Sequence, residues 1–150
     1  MNSTQDTIDF FYSFLKKDGK QVVNPVNGSK QGIETLIKSD KKLVALSGRM
    51  EDSREYTEDW LTKNYESVFD SVLLTDHDTP KQVPKYELAQ KYGIGLMVED
   101  NAHYAIDLAT HGIPTILLET PWNIDIDTSS YPDLYRVKNW SEIVSLMEIM

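Results

Sequence analysis

Short apolar segments alternate with helical segments along this chain, and that alternation limits the fold more than any other feature of the sequence. Apolar runs predict buried strands over residues 42–47, 68–75, 94–100 and 113–120. The segments around them predict helices over residues 29–38, 51–64, 84–93 and 101–112. Because neighbouring parallel strands need a crossover connection, the pattern predicts an α/β domain with a three-layer, doubly wound, mostly parallel sheet.

The two ends of the chain add further helices to this pattern. Residues 7–16 predict a helix that Asp6 caps, and residues 140–150 predict a last helix that Ser141 caps. The length of 150 residues suits one domain with a sizeable core, so we expect a single domain over residues 1–150. We interpret the tryptophans as packing residues rather than as a stacking platform: Trp60, Trp122 and Trp140.

Composition excludes several classes of function. The formal net charge of −9 argues against a partner that is a nucleic-acid polymer, because phosphate backbones are held mainly by lysine and arginine. The sequence has no cysteine, which excludes disulfides and thiolate chemistry. It has no apolar run of membrane-spanning length and no signal peptide at its start, so we expect a cytoplasmic protein without a membrane partner. The three histidines have no ligand spacing, and we interpret them as surface or cap residues.

Polar side chains follow the predicted strands at the edge where α/β sheets bind ligands. Ser47, Gly48 and Arg49 come directly after the first strand, where a hydroxyl and two backbone N–H groups can hold a phosphoryl oxygen. The alternative is a loop serine beside an arginine that pairs with Glu51 or Asp52. Both interpretations stay open on these residues alone.

Two further positions carry charge at the same predicted edge. Glu99 and Asp100 end the third strand, and a magnesium ion would relieve the repulsion between their carboxylates. The alternative is that they cap the helix that follows. Lys85 precedes a helix and could neutralise a phosphate, although taken alone it is typical of an exposed, solubilising lysine.

The order of these pieces resembles motifs II, III and IV of the haloacid dehalogenase-like (HAD-like) hydrolases. "LVALSGR" resembles motif II with Ser47, and "PKYELAQKYGI" resembles motif III with Lys85. "GLMVEDNAHYAIDLATHGIPTILLETPWN" resembles motif IV with Glu99 and Asp100. Within the superfamily the likeness is greatest to the 5'(3')-deoxyribonucleotidase-like group, which "NPVNGSKQGIETL", "TPWN" and "RVKNWSEI" also resemble.

The resemblance implies a HAD-like Rossmannoid core with a largely absent cap, of which residues 1–20 are a remnant. It implies magnesium-dependent hydrolysis of a small phosphomonoester, with a nucleotide as a candidate substrate. Ser47, Gly48, Arg49 and Lys85 would bind the phosphate, and Glu99 with Asp100 would bind magnesium. In the family an aspartate attacks phosphorus, and water then releases the aspartyl-phosphate.

The strand that carries this aspartate in the family, within a DxD motif, has no counterpart near the amino terminus of the chain. Asp6 and Asp9 lie in a helix-like stretch, and the late string "NIDIDTSS", with Asp125 and Asp127, follows Pro121 rather than a strand. We interpret that string as a loop coincidence, so the nucleophile is unknown.

In this superfamily the absent strand lies in the centre of the sheet, between the strands of motifs II and IV. "KQVVN" could fill its place, a partner chain or oligomer could supply a strand, or the sheet could close up. The sequence therefore leaves three candidate functions open. They are an active phosphatase, a non-catalytic module that binds phosphate, nucleotide or protein, and half of a split enzyme.

Overall fold

A computed structural model describes residues 23–150, and its elements follow the predicted alternation of strands and helices. The helices are α1 (Ser29–Lys38), α2 (Arg54–Tyr65, preceded by a 3₁₀ turn at Glu51–Ser53), α3 (Lys85–Lys91), α4 (Ala102–Thr110) and α5 (Trp140–Ile149). The strands are β1 (Leu43–Ser47), β2 (Phe69–Leu74), β3 (Met97–Glu99), β4 (Thr115–Leu118) and β5 (Leu134–Val137). The predicted helix over residues 7–16 and the cap remnant over residues 1–20 lie outside the described residues.

All the strand pairings within residues 23–150 are parallel, as the alternation predicts, but the strands form two sheets rather than one. β1 pairs with β2 in one sheet, and β3, β4 and β5 pair in that order in the other. The chain is therefore an α/β protein consistent with a Rossmann-like core. The two sheets separate between β1 and β3. This is the place at which the resemblance implies a strand that has no counterpart in the sequence.

The core lies on the three-stranded sheet. All four residues of β4 are buried, because β4 has a hydrogen-bonded neighbour on each side and helices packed against it. Ala105 and Leu108 of α4 and Ile143 of α5 are fully buried there. A small residue, Gly32, lets α1 approach α5, since a Cβ at that position would lie 2.6 Å from Cε3 of Trp140.

Three predictions about local structure were wrong or incomplete. β5 was not predicted, because its four residues mix leucine and valine with tyrosine and arginine. The cap of α5 is Asn139, whose side chain accepts from the amide of Glu142, and not Ser141. Trp122 is 66% exposed in the loop after β4, so it is not a packing residue.

The segment "KQVVN" does not supply a strand in its described part. Val23 and Asn24 have no strand structure, and the carbonyl of Val23 accepts a hydrogen bond of 3.0 Å from Nε1 of Trp60 on α2. Among the described residues, no helix is long and apolar enough to cross a membrane.

Candidate functional site

The carboxyl ends of the two sheets meet at the side chain of Tyr104, in the first turn of α4. The hydroxyl of Tyr104 lies 3.8 Å from the position that a Cβ on Gly48 would take, just after β1. It also makes a hydrogen bond of 2.9 Å with Nδ1 of His77, in the loop after β2. The sequence places Tyr104 there because Asn101 caps α4 and accepts from the amides of His103 and Tyr104. The fold thus brings together the strand ends that the sequence singled out.

The loop after β1 is closely tied to the end of β2. The carbonyls of Ser47 and Gly48 accept hydrogen bonds from the amides of Thr75 and His77. The hydroxyl oxygen of Ser47 accepts from the amide of Arg49 at 3.3 Å, which forms a small hydroxyl-and-amide turn at the strand end. A phosphoryl oxygen could be held by this type of turn.

The guanidinium of Arg49 turns away from this loop towards α2. Nη1 donates to Oγ1 of Thr57 at 3.0 Å, and the guanidinium carbon lies 5.6 Å from the centre of the Tyr56 ring. The alternative pairing of Arg49 with Glu51 is not formed, because Glu51 pairs with Arg54 instead. Any contribution of Arg49 to anion binding would therefore come from its backbone.

Lys85, the first residue of α3, is buried and forms an ion pair with Glu99 at the end of β3. Lys85 Nζ lies 2.6 Å from Oε2 of Glu99, and each residue is 8% exposed. The other oxygen of Glu99 accepts from the amides of Asp100 and Asn101, both at 3.1 Å. The interpretation of Lys85 as an exposed, solubilising lysine is therefore wrong.

Lys85 has unused hydrogen-bonding capacity. An ammonium carries three N–H donors, and among residues 23–150 Lys85 uses one of them, on Glu99. Its further contact is with the face of the Tyr104 ring, whose centre lies 4.5 Å from Nζ. A buried ammonium donor needs an acceptor, and an oxygen of a bound anion could fill that role here.

Asp100 differs from Glu99 in its surroundings. Asp100 is exposed, whereas Glu99 is buried. Partial burial, and then the negative charge of Glu99, raise the pKa of the Asp100 carboxyl above its ordinary value. A cation near this carboxylate would offset both effects.

Of the two predicted magnesium ligands, Asp100 alone has a carboxylate that is not already engaged by other groups of residues 23–150. Magnesium usually keeps several waters and takes one or two carboxylates together with phosphate oxygens. Asp100 has a carboxylate available for this role, whereas both oxygens of Glu99 are already engaged by Lys85 and by two amides. No group of three or more acidic or histidine side chains that could hold a metal occurs within residues 23–150.

Asn123, in the loop after β4, fixes the end of β3 from the other side. Asn123 is 1% exposed, and its amide nitrogen donates to the carbonyls of Asp100 at 2.7 Å and Leu118 at 2.9 Å. Its carbonyl oxygen accepts from the amide of Thr120 and from Arg136 on β5. Asn123 therefore sets the position from which the Asp100 side chain emerges.

Three residues of this arrangement were missed by sequence reasoning: His77, Tyr104 and Asn123. His77 was interpreted as an ordinary surface or cap residue, and nothing in its spacing marks its contact with Tyr104. Asn123 lies in "TPWN", a segment with a family resemblance but no predicted role.

The DxD-like string has a local role only. Asp125 and Asp127 lie in the loop between β4 and β5. A hydrogen bond from the amide of Ser129 lowers the pKa of Asp127, which is the pattern of a local turn.

Comparison with known proteins supports the fold. No protein-family model matches the sequence, and no curated protein does. The solved structure of a dehalogenase with an intermediate complex matches with a TM-score of 0.62 and 17% identity over 81% of this chain. This chain spans 55% of the length of that dehalogenase chain. At this identity the likeness shows that the chain shares the fold of that dehalogenase, and membership of the HAD-like hydrolases and of their nucleotidase-like group stays a prediction.

Proposed function

We propose that this chain provides the phosphate- and magnesium-binding part of a HAD-like phosphatase, and that its ligand is a small phosphomonoester such as a nucleotide. The observation that carries the proposal is Lys85. This ammonium is buried at the meeting point of the strand ends and has N–H donors that no residue of the described chain accepts. The sheet of such an enzyme would be the three-layer, doubly wound one that the sequence predicts.

The roles of the residues follow from their contacts. Lys85 would donate to a phosphate oxygen, while Glu99 holds the ammonium in place and balances its charge. Ser47 and the backbone of Gly48 and Arg49 would hold a second oxygen at the end of β1. Asp100 would hold magnesium, which on binding would neutralise phosphate charge.

The attacking group of the hydrolysis is unknown in this chain. A carboxylate nucleophile of the kind that the resemblance implies would have to approach the same phosphate. The second candidate function is a module that binds phosphate or nucleotide without turnover. The division of the sheet between β1 and β3 favours it, because this is where the absent nucleophile strand would lie.

The test measures binding and turnover separately on the full chain. Melting temperature and phosphate release are measured with inorganic phosphate, p-nitrophenyl phosphate and a panel of nucleoside monophosphates, each with and without magnesium. The variants are Lys85→Met and Asp100→Asn, with Asp125→Asn as a matched control in the loop after β4. We expect phosphate to raise the melting temperature more with magnesium than without it.

The outcomes separate the two candidates. Stabilisation that both site variants lose and the control keeps, together with phosphate release, supports the phosphatase. Stabilisation of the same kind without release supports the non-catalytic module. If neither phosphate nor any monophosphate changes the melting temperature, or if the site variants respond as the parent chain does, the proposal is wrong.

A further inference from the structure

Tyr104 lies beside both groups to which the proposed function assigns phosphate oxygens. Its hydroxyl is 3.8 Å from the position that a Cβ on Gly48 would take, at the turn after β1. The centre of its ring is 4.5 Å from Nζ of Lys85. The hydroxyl of Tyr104 is therefore a third polar group that could face a ligand at the strand ends.

The hydroxyl of Tyr104 forms a hydrogen bond with one ring nitrogen of His77. The hydroxyl oxygen and Nδ1 of His77 are 2.9 Å apart, and the roles of donor and acceptor depend on the tautomer of the ring. The other ring nitrogen, Nε2, lies 3.4 Å from Oδ1 of Asp78. An ionised carboxylate only accepts hydrogen bonds, so Asp78 favours a hydrogen on Nε2. Neutral His77 then has an acceptor at Nδ1, and Tyr104 donates to it.

Protonation of His77 reverses the direction of this hydrogen bond. Both ring nitrogens of a charged histidine donate, so Nδ1 then donates to the oxygen of Tyr104. The O–H of Tyr104 becomes free to turn to another acceptor beside Gly48. Burial, and then the charges of Glu99 and Asp78, raise the pKa of Tyr104. The phenol therefore keeps the proton that it would donate.

The backbone of the loop after β2 holds His77 in this position. The amide of His77 donates to the carbonyl of Gly48 at 3.1 Å. Both chain neighbours of His77 have a positive φ, 52° at Asp76 and 61° at Asp78. Residues other than glycine adopt this conformation at a cost in free energy, and such strain is found at functional sites. The loop therefore places the ring of His77 against Tyr104 although its backbone is locally strained.

Charged groups of both signs surround His77 and Tyr104. Asp78 faces the His77 ring from the same loop, and the ammonium of Lys85, at the start of α3, faces the Tyr104 ring. Glu99, at the end of β3, balances the charge of Lys85. Two charged side chains of the neighbouring loops are directed elsewhere: Arg49 to Thr57, and Asp76 to the amide of Glu51. Within residues 23–150, Asp78 is therefore the charged group in direct contact with the His77 ring.

We propose that Tyr104 is a further phosphate-binding residue and that His77 determines when it binds. The hydroxyl of Tyr104 donates to a bound phosphate when His77 is protonated, and it donates to His77 when His77 is neutral. Phosphate binding is thereby linked to protonation of His77, so the affinity falls as pH rises through the range in which histidine loses its charge. The inference rests on the proposed function, because phosphate beside Gly48 and Lys85 is the acceptor.

The test compares phosphate affinity at two pH values. Inorganic phosphate is titrated, with magnesium present, into the full chain by calorimetry at about pH 5.5 and about pH 8, between which histidine changes charge. Tyr104→Phe removes the hydroxyl and keeps the ring beside Lys85. His77→Asn removes the titrating ring. His111→Asn is the matched control, because Nδ1 of His111 also lies 3.4 Å from an aspartate oxygen, on Asp107.

The measured quantity is the affinity of the parent chain divided by that of Tyr104→Phe, because this ratio cancels the ionisation of phosphate itself. We expect a ratio of about ten near pH 5.5, since a hydrogen bond to a charged acceptor is lost, and about one near pH 8. In the His77→Asn background, removal of the hydroxyl should have the same effect at both pH values. His111→Asn should give the ratios of the parent chain.

Nitrogen NMR of the His77 ring tests the same inference without any variant or ligand. We expect the hydrogen on Nε2 near pH 8, as the contact with Asp78 favours. A hydrogen on Nδ1 at that pH would leave the Tyr104 hydroxyl free when His77 is neutral, and the inference would be wrong.

The binding results separate this inference from the proposed function. A ratio that is the same at both pH values contradicts the inference alone: if it is about one, the hydroxyl does not bind phosphate, and if it is about ten, His77 does not determine the binding. Equal changes in His77→Asn and His111→Asn also contradict it. If phosphate binds at neither pH, both the proposed function and this inference are wrong.

Discussion

Replacement of Lys85 by methionine tests whether the strand ends are held by a buried ion pair. Lys85 Nζ and Oε2 of Glu99 are 2.6 Å apart, and the two side chains are 8% and 7% exposed. Methionine fills a similar volume but leaves the Glu99 carboxylate buried, with two backbone N–H groups as its remaining partners. Removal of one member of a buried pair costs about 3–5 kcal/mol. Because those two N–H groups remain, we expect the lower end, about 3 kcal/mol.

A double variant isolates the pair. Glu99→Gln keeps an oxygen that can accept from the amides of Asp100 and Asn101 but removes the negative charge. Lys85→Met with Glu99→Gln then has no uncompensated buried charge, so we expect a net loss of about 1–2 kcal/mol. We expect Glu99→Gln alone to cost about 2 kcal/mol, since it leaves the ammonium without its counter-charge. The sum of the two single losses should therefore exceed the loss of the double variant by about 3–4 kcal/mol.

The assay is urea unfolding followed by tryptophan fluorescence, with the free energy of unfolding obtained by linear extrapolation for all four proteins. Single losses that add to within about 0.5 kcal/mol of the double loss would refute the buried pair. The double variant also separates stability from function. Under the proposed function it folds but no longer binds phosphate, because the donor is gone; retained phosphate binding would assign Lys85 a structural role only.

Three further predictions follow from single contacts. Asp100→Asn should stabilise the chain at pH 7 by on the order of 0.5 kcal/mol after solvent screening. Because the folded pKa is raised, stability falls as pH rises from the ordinary value of 3.8 to the folded pKa. The gain should therefore be absent from urea unfolding below pH 3.8, and a gain that persists there would contradict it. Gly32→Ala should cost about 1–3 kcal/mol in the same assay, because its Cβ would meet the Trp140 ring. Gly95→Ala, which meets no atom within 4 Å, should stay within about 0.5 kcal/mol. Asn123→Ala should cost about 3 kcal/mol, since it removes the partners of two carbonyls and an amide. A loss below that of Gly32→Ala would contradict the proposed role of Asn123 in holding the end of β3.

The fold was predictable where periodicity was strong. β1 to β4 were found because each is an apolar run bounded by turn residues, and α1 was predicted at its observed bounds, Ser29–Lys38. β5 was missed because Tyr135 and Arg136 interrupt its apolar pattern. Arg136 stands there to donate a hydrogen bond to the side chain of Asn123. The division of the sheet agrees with the absent strand of the resemblance, but no local pattern in β1 or β3 could have shown which edges are unpaired.

The site was predictable in part, because parallel strands place their carboxyl ends together. That rule located Ser47, Glu99 and Asp100 without any contact information. It could not locate Tyr104 or His77, because the hydrogen bond between them depends on how α4 packs beside the loop after β2. Contacts between residues far apart in sequence leave no spacing that a single sequence can display.

Glu99 and Asp100, the two predicted magnesium ligands, have different surroundings although they are adjacent in sequence. Glu99 is the last residue of β3 and is directed to the buried Lys85, while Asp100, one residue later, reaches solvent. A cation bound by both carboxylates would require Glu99 to release an ammonium 2.6 Å away. The same charge cannot serve both cations at full strength, so under the proposed function Asp100 is the residue whose carboxylate would bind magnesium.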